Sequence, residues 1–257
     1  MGPKDDPSST PRAVTASLAA FNTPLSSEAA ALGFRGWHPR GHLPHFDMPG
    51  TVQAVTFRLA DSMPVHVVAR LAAMEDSPAK RKLREDWLDR GRGACCLRRP
   101  QIARLVEDAL LHFDGERHRL GAWCVMPDHV HVLFEVGTTA LGEIVKSWKG
   151  YSAREANRVL GRRGASWEEE YWDRCMRDER HHRETVRYLE NNPVKARLTK
   201  TPDPREWPWS SARRRDAFGR LPSERGTVAG GQEAADWKVR TPSSRLNSPA
   251  SCSSPTS

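Results

Sequence analysis

The pattern of apolar and polar residues predicts three strands between residues 51 and 136. Residues 51–59 (TVQAVTFRL) alternate with a period of two, which is the period of a strand with one buried face. Residues 117–126 and 129–136 predict two further strands, and the Pro-Asp pair at 127–128 favours a tight connection between them. Two of the three predicted strands are therefore neighbours in the sequence.

Apolar residues at helical spacing predict helices between and after these strands. The predicted helices cover 64–71, 79–90, a segment that begins at Pro100, 141–160 and 178–191. The last helix is expected to end near Pro193, because proline disfavours a helical conformation of the residue before it. The order strand, helices, strand, strand, helix, helix predicts an α+β sandwich, with a mainly antiparallel sheet covered by helices.

Composition divides the chain into one predicted domain and two predicted tails. Residues 1–32 and 222–257 are rich in Ser, Thr, Pro and Ala, so we expect disordered N- and C-terminal tails. The folded domain is expected over 33–221 and includes a helical region at 64–114. We expect no catalytic residue in the C-terminal tail.

The chain is basic, with 40 Lys and Arg residues against 32 Asp and Glu residues and a formal net charge of +8. Nucleic acid is a suitable partner for such a chain, because each phosphate that a basic side chain neutralises releases condensed counterions. The alternative interpretation is an Arg-rich surface that serves solubility alone. Charge by itself does not separate these two interpretations.

The apolar segments and the cysteines of the chain indicate its cellular compartment. No apolar run approaches the roughly 20 residues that span a bilayer, and the first residues lack the apolar segment of a signal peptide. The 5 cysteines include an adjacent pair and no CxxC repeat, which argues against a disulfide framework and against a zinc site. We therefore expect a protein of the reducing cytoplasm, without a membrane partner and associated with the nucleoid when it binds DNA.

A His-x-His motif lies on the third predicted strand. Side chains two residues apart on a strand point to the same face, so His129 and His131 project together while Val130, Val132 and Phe134 point into a core. Two neutral imidazoles side by side form half of a site for a divalent ion. The alternative is a pair of exposed or hydrogen-bonded histidines, although an apolar strand does not need two histidines for packing.

A tyrosine and an asparagine lie one turn apart on the last predicted helix. Tyr188 and Asn192 are four residues apart and therefore lie on one side of that helix. The phenol offers a nucleophilic oxygen, and the asparagine carbonyl oxygen offers a third metal ligand. In the alternative interpretation, Tyr188 packs beside Val186 and Leu189 and Asn192 caps the end of the helix.

Basic and aromatic residues are interleaved in the second half of the chain. Bases stack on aromatic rings while Lys and Arg follow phosphates, so this mixture is typical of proteins that bind single-stranded or hairpin DNA. The alternative is that most of the tryptophans are core residues and the arginines belong to an ordinary surface; we assign half of the tryptophans to the core. The residues predicted to contact DNA are Lys146, Lys149, Arg154, Trp172, Arg174 and Arg177.

Several ordered motifs resemble one known family. They are MPDHVHVLF (126–134), KSWKGYSARE (146–155), YWDRCMRDE (171–179), YLENNPVKARL (188–198) and WPWSS (207–211). Together they resemble the REP-associated tyrosine transposases, which are relatives of the single-tyrosine HUH transposases of insertion sequences. The segment 42–64 is similar to the opening strand segment of that family. The resemblance covers roughly 35–216.

The resemblance implies a ferredoxin-like domain with the histidines on a central strand. It implies that His129 and His131 are metal ligands, that Tyr188 is the nucleophile, and that Asn192 completes the metal site. Spacing alone leaves Tyr151 and Tyr171 open as the nucleophile. The cofactor implied is Mg²⁺ or Mn²⁺.

The implied activity is a metal-dependent single-stranded DNA endonuclease and strand transferase. Such an enzyme cuts hairpin-forming repeat DNA through a 5′-phosphotyrosine intermediate. The alternative is a catalytically silent, domesticated DNA- or RNA-binding regulator on the same scaffold. The 64–114 region and both tails are longer than a minimal member needs and could alter the choice of DNA, and a monomer and a homodimer are both open.

Overall fold

A computed structural model describes residues 23–40, 43–75, 77–216, 219 and 221 of the 257-residue chain. Most of the two predicted tails, at 1–22 and 222–257, therefore lies outside the described residues. Among the helices that are described, none is long and apolar enough to cross a membrane.

The described chain contains both strands and helices. The strands are β1 (Gly36–Arg40), β2 (Leu43–Asp47), β3 (Val52–Arg58), β4 (His118–Val125), β5 (His129–Val136) and β6 (Trp172–Cys175). The α-helices are α1 (Ser27–Ala31), α2 (Val65–Ala73), α3 (Pro78–Leu88), α4 (Pro100–Leu111), α5 (Leu141–Leu160) and α6 (Glu179–Lys195). Short 3₁₀ turns lie at Cys96–Arg98, Pro204–Glu206 and Ser211–Arg214.

The central sheet has the strand order of a ferredoxin-like fold. Its four strands lie in the order β4-β5-β3-β6, and every neighbouring pair is antiparallel. Helices α2 to α4 connect its first and second strands along the chain, and α5 connects its third and fourth. This βαββαβ connectivity confirms the predicted ferredoxin-like α+β sandwich, with the His-x-His strand in the interior of the sheet.

One face of the sheet carries the main hydrophobic core. Helices α4 and α5 pack on it, which confirms the predicted direction of Val130, Val132 and Phe134. All three of these side chains are 0% exposed. Helix α6 packs on the other face, where the apolar cluster is smaller and contains Val52, Ala122, Leu133, Met176 and Leu189.

The last helix continues past the point that its proline predicted. Pro193 lies inside α6, which ends at Lys195. Proline removes one backbone donor, but the last turn is closed by other bonds: the Ala196 N–H donates to the Asn192 carbonyl and the Leu198 N–H to that of Pro193. Pro193 is itself buried, so packing compensates for the missing bond.

Two regions differ from the pattern-based prediction. Residues 23–32 were expected within the N-terminal tail, yet they include α1, whose Ala29 is buried in the main core. The Ser26 side chain accepts a hydrogen bond from the Ala29 N–H at 3.2 Å and caps this helix. Strands β1 and β2 form a separate two-stranded sheet, and His45 of β2 contacts Asp173 of the edge strand β6.

Candidate active site

The His-x-His pair lies on the face of the sheet that α6 covers. His129 of β5 lies opposite Arg58 of β3, and His131 lies opposite Thr56. Both histidines are buried, at 1% and 5% exposure. The predicted common direction of the two imidazoles follows from the strand period, and the register with β3 determines their neighbours.

Each imidazole is oriented by a contact at Nδ1. His129 Nδ1 donates to Asp128 Oδ1 at 2.7 Å, and His131 Nδ1 lies 2.8 Å from the Thr56 hydroxyl. The two Nε2 atoms therefore face each other, 3.0 Å apart. When Thr56 donates to His131, the His131 Nε2–H can bond to His129. When Thr56 accepts instead, two lone pairs face each other, and that arrangement requires a cation.

The spacing of the Nε2 atoms fits a pair of ligands to one ion. Two ligand atoms about 2.1 Å from an octahedral ion, at roughly 90° to each other, lie about 3.0 Å apart, and the observed separation is 3.0 Å. Burial, together with the charges of His129, Arg84 and Lys195, holds the pKa of His131 well below its usual value, so this imidazole is in the neutral form that binds metal.

A third metal ligand would have to be a side chain other than His, Cys, Asp or Glu. The described residues contain no cluster of three or more His, Cys, Asp or Glu side chains that could hold a metal. Asn192 on α6 is 1% exposed, and neither its carbonyl oxygen nor its amide nitrogen has a hydrogen-bonding partner. A buried amide without a partner is costly unless a ligand completes it. The donor set of two imidazoles and one amide oxygen therefore fits a divalent ion, with water at the remaining positions.

Tyr188 lies beside the histidine pair. Its ring centroid is 5.9 Å from that of His131, with the rings at 72°. Burial raises the pKa of the Tyr188 phenol, and the carboxylates of Glu85 and Asp89 raise it further. The Asn192 amide and Arg84 act in the opposite direction. The phenol therefore holds its proton at neutral pH, so a reaction at its oxygen has to remove that proton during attack.

The other two tyrosines occupy different surroundings. Tyr171 is 2% exposed and packs in the main core, with its ring 4.9 Å from that of His45. Tyr151 is 42% exposed on α5, the helix on the opposite face of the sheet from α6. Of the three tyrosines of the chain, Tyr188 is the one that contacts the histidine pair.

His131 and Tyr188 open onto a groove of about 750 Å³. The predicted DNA-contacting residues Trp172, Arg174 and Arg177 line the same groove. The Trp172 ring lies 4.9 Å from the Arg84 guanidinium carbon and 5.9 Å from that of Arg58. The groove thus brings aromatic rings and cations to the phenol.

The three predicted DNA-contacting residues on α5 lie elsewhere. Lys146 is exposed and approaches Glu143 at 3.4 Å. The Lys149 ammonium donates to the backbone carbonyls of Glu168 and Glu169 at 2.6 and 2.7 Å, so it holds a loop. Arg154 is exposed on the same helix. Because α5 covers the main core, these three side chains are on the opposite side of the sheet from the groove.

Several groove residues were missed by the sequence analysis. Trp37 of β1 is 57% exposed, and Arg81 and Arg84 come from α3. The spacing of the two arginines does place them on one side of a helix. No signal in the sequence indicated that this side would meet the histidine strand, because that contact is made across distant parts of the chain. Thr56, which contacts His131, was missed for the same reason. Asp128 precedes His129 directly, and the sequence analysis assigned it only to the turn between the two strands.

The residues of the candidate site lie in a part of the chain that is similar to a known family. Residues 102–192 match the family model of IS200-like transposases. Over these residues, the chain is similar to this transposase family. The matched stretch begins in α4, contains the histidine pair and Tyr188, and ends at Asn192. The resemblance predicted from the sequence is confirmed at the level of this family.

Solved structures give weaker similarities. A REP-associated tyrosine transposase bound to a REP hairpin is 17% identical, with a TM-score of 0.45, 79% of this chain covered and 99% of that chain. A Deinococcus radiodurans R1 protein assigned as a transposase is 18% identical, with a TM-score of 0.30, 60% of this chain covered and 96% of that chain. No curated protein matches the chain.

Proposed function

We propose that this protein is a metal-dependent tyrosine transposase that nicks single-stranded DNA and transfers the strand. The observation that carries the proposal is the position of the Tyr188 ring beside His131, whose Nε2 lies 3.0 Å from that of His129. The proposed nucleophile Tyr188 and one of the proposed metal ligands, His131, line the same groove. This is the arrangement that a metal-assisted attack on a phosphodiester requires.

The lining of the groove supports single-stranded DNA as the class of substrate. Trp172 and the exposed Trp37 offer ring faces on which unpaired bases can stack, and Arg174 and Arg177 offer charge for the backbone. The net charge of +8 favours the same partner. We propose hairpin-forming repeat DNA as the substrate, which is the substrate that the family resemblance implies.

His129, His131 and Asn192 would hold the ion in this mechanism. A bound Mg²⁺ or Mn²⁺ supplies neutralisation of a non-bridging phosphate oxygen and orients the scissile group. The Tyr188 oxygen attacks phosphorus, a P–O bond to the phenol forms, and the P–O3′ bond breaks. The phenol loses its proton and the departing 3′ oxygen gains one. The product is a 5′-phosphotyrosine, which a second 3′-hydroxyl can attack to reverse the step.

A covalent adduct tests the proposal directly. The probe is a pool of 3′-labelled oligonucleotides whose hairpin stem is flanked by randomised single strands, incubated with Mg²⁺ or Mn²⁺. We expect a protein-DNA adduct that survives denaturant and is absent with EDTA. Tyr188→Phe should abolish the adduct while DNA binding stays within a few-fold, and Tyr151→Phe serves as the control. An adduct that persists in Tyr188→Phe and disappears in Tyr151→Phe or Tyr171→Phe would overturn the nucleophile assignment.

A second candidate is a silent regulator that binds hairpin DNA without cutting it. The raised pKa of the Tyr188 phenol is the observation in its favour, since burial and two carboxylates disfavour the phenolate. The same pool of oligonucleotides separates the two functions. Hairpin binding without an adduct under Mg²⁺, Mn²⁺, Co²⁺ or Zn²⁺ would select the regulator.

A further inference from the structure

Helix α3 forms one wall of the groove, and it precedes the stretch that matches the family model. Arg81, Arg84 and Glu85 of this helix line the groove together with His131 and Tyr188. The charged side chains of α3 are therefore divided between the groove and the outer surface.

The side of α3 that points away from the groove provides a contrast. Lys82 is 75% exposed, is not part of the groove lining, and pairs with Asp86 at 2.9 Å. Both are on the same helix as Arg84. A positive charge can thus be removed from α3 inside the groove or outside it.

Arg84 is linked to the histidine pair through a chain of direct contacts. Its guanidinium carbon lies 4.9 Å from the centroid of the Trp172 ring. Trp172 pairs with Thr56 in the sheet, and the Thr56 hydroxyl contacts His131 Nδ1 at 2.8 Å. The Arg84 side chain is 17% exposed, so its guanidinium is held against the ring rather than extended into solvent.

Arg84 shares the groove with both proposed reacting elements of the site. Its side chain lines the groove together with His131 and Tyr188. Lys195 is not part of the groove lining, and its ammonium pairs with Asp89 at 2.7 Å. Arg58, the second arginine near Trp172, donates to Glu168 at 2.9 Å. Arg84 approaches the Glu85 carboxylate at 4.0 Å and is a groove-lining arginine that stacks on the Trp172 ring.

We propose that Arg84 binds the DNA phosphate that Tyr188 attacks, so that helix α3 supplies a catalytic residue from outside the family-matched stretch. This inference rests on the proposed function. A planar guanidinium presents two parallel N–H groups to a phosphate, and stacking on an aromatic ring fixes its plane in advance. As the Tyr188 oxygen bonds to phosphorus, a fixed cation stabilises the negative charge that develops on the non-bridging oxygens.

The rate of adduct formation measures this contribution. With the hairpin oligonucleotide pool in excess Mg²⁺, we expect Arg84→Gln to slow single-turnover adduct formation about 100- to 1,000-fold, the usual loss when one fixed donor to a developing charge is removed. Lys82→Gln removes the same charge from the same helix outside the groove, and its rate should stay within about three-fold of the unmodified protein. Equal rates for the two variants would overturn the proposal.

Substitution of single phosphates locates the contact. The oligonucleotide that forms the most adduct is resynthesised with one uncharged methylphosphonate, at the cleaved linkage or at one of the flanking linkages. If Arg84 binds the scissile phosphate, Arg84→Gln should reduce the rate of adduct formation only slightly when the methylphosphonate is at the cleaved linkage. When the methylphosphonate is at a flanking linkage, the same substitution should reduce the rate as much as it does with unmodified DNA. An equally large reduction of the rate by Arg84→Gln at every methylphosphonate position, including the cleaved one, would overturn the proposal.

A folding control and a binding measurement keep the two proposals separable. Arg84→Lys keeps a positive charge without the planar pair of donors, so an adduct rate between those of the unmodified protein and Arg84→Gln is expected. A purely packing role would lower the melting temperature of both variants and leave their adduct rates alike. If the unmodified protein forms no adduct, the proposed function fails by itself.

In that case, DNA binding alone tests whether Arg84 contacts a phosphate. For labelled dT₂₀, the slope of log K against log salt should fall by about 0.7 in Arg84→Gln relative to Lys82→Gln, the value for one phosphate contact on single-stranded DNA. An unchanged slope would mean that Arg84 contacts no phosphate.

Discussion

Replacing Asn192 by leucine tests whether its buried amide is kept for a ligand at a cost in stability. The side chain is 1% exposed, and neither of its polar atoms has a hydrogen-bonding partner. A buried polar group without a partner costs about 1–3 kcal/mol. Leucine branches at the same carbon and lacks the polar atoms. We therefore expect Asn192→Leu to raise the free energy of unfolding of the metal-free protein by about 1–3 kcal/mol.

Two smaller effects accompany this gain. Leucine has a higher helix propensity than asparagine, which adds a few tenths of a kcal/mol within α6. The amide also lowers the pKa of the Tyr188 phenol, and the substitution removes this polar contact. The contact is not a hydrogen bond of good geometry, so we expect its loss to reduce the gain without reversing it.

The assay is urea denaturation followed by circular dichroism, first in EDTA and then with increasing Mn²⁺. An ion that binds only the folded protein adds RT ln(1 + [Mn²⁺]/Kd) to its stability. The unmodified protein should gain stability with Mn²⁺, and Asn192→Leu should gain much less. Asn191→Leu is the matched control, because Asn191 is exposed on the same helix and donates to the Arg187 carbonyl at 2.9 Å. It should show the Mn²⁺ response of the unmodified protein.

The opposite result in EDTA would refute this reasoning. If Asn192→Leu unfolds at lower urea than the unmodified protein, the amide has a partner that stabilises the fold and is not kept for a ligand. An unchanged Mn²⁺ response in a variant that is more stable would show that the amide is orphaned but does not bind the ion.

Three further changes test other parts of the site and the fold. Asp128→Asn weakens the acceptor that orients His129, so Mn²⁺ affinity measured by calorimetry should fall about 10- to 100-fold. Trp37→Ala removes an exposed ring from the groove and should weaken dT₂₀ binding, measured by fluorescence anisotropy, by about 1–3 kcal/mol, whereas Leu32→Ala should have no effect. Burial lowers the pKa of His118 to about 4, so its contribution to stability is lost as pH falls from 6.5 towards 4. Between pH 6.5 and 4, the free energy of unfolding measured by urea denaturation should fall by about 3 kcal/mol less in His118→Gln than in the unmodified protein. Equal decreases in the two proteins would contradict the lowered pKa of His118.

Local periodicity was sufficient to predict the parts of the site that lie on one element. The strand period placed His129 and His131 on one face, and the helix period placed Tyr188 and Asn192 on one side of a helix. Whether these two elements meet depends on the order of the strands in the sheet. That order is non-local, and it came from the family resemblance rather than from any spacing.

The face that each element presents explains why some of the predicted DNA-contacting residues lie away from the groove. Helix α5 was predicted with its observed bounds, yet its Lys146 and Lys149 lie across the sheet from the groove. Its apolar side determines that outcome, because Ile144 and Trp148 have to pack in the main core. For α3 the apolar side is weak, with Lys80 and Leu88 as its buried residues, so the pattern did not indicate how the helix would be oriented.

The two faces of the sheet have different physical roles, and this explains how a buried polar site can persist. The face under α4 and α5 carries the large apolar cluster and supplies most of the stabilisation from burial. The face under α6 carries a small apolar cluster beside polar atoms without partners in Asp128 and Asn192. Such atoms destabilise the fold, and they are retained where an ion or a substrate completes them. The large apolar face therefore offsets the cost of the polar one, and the sheet between them fixes the imidazoles in place.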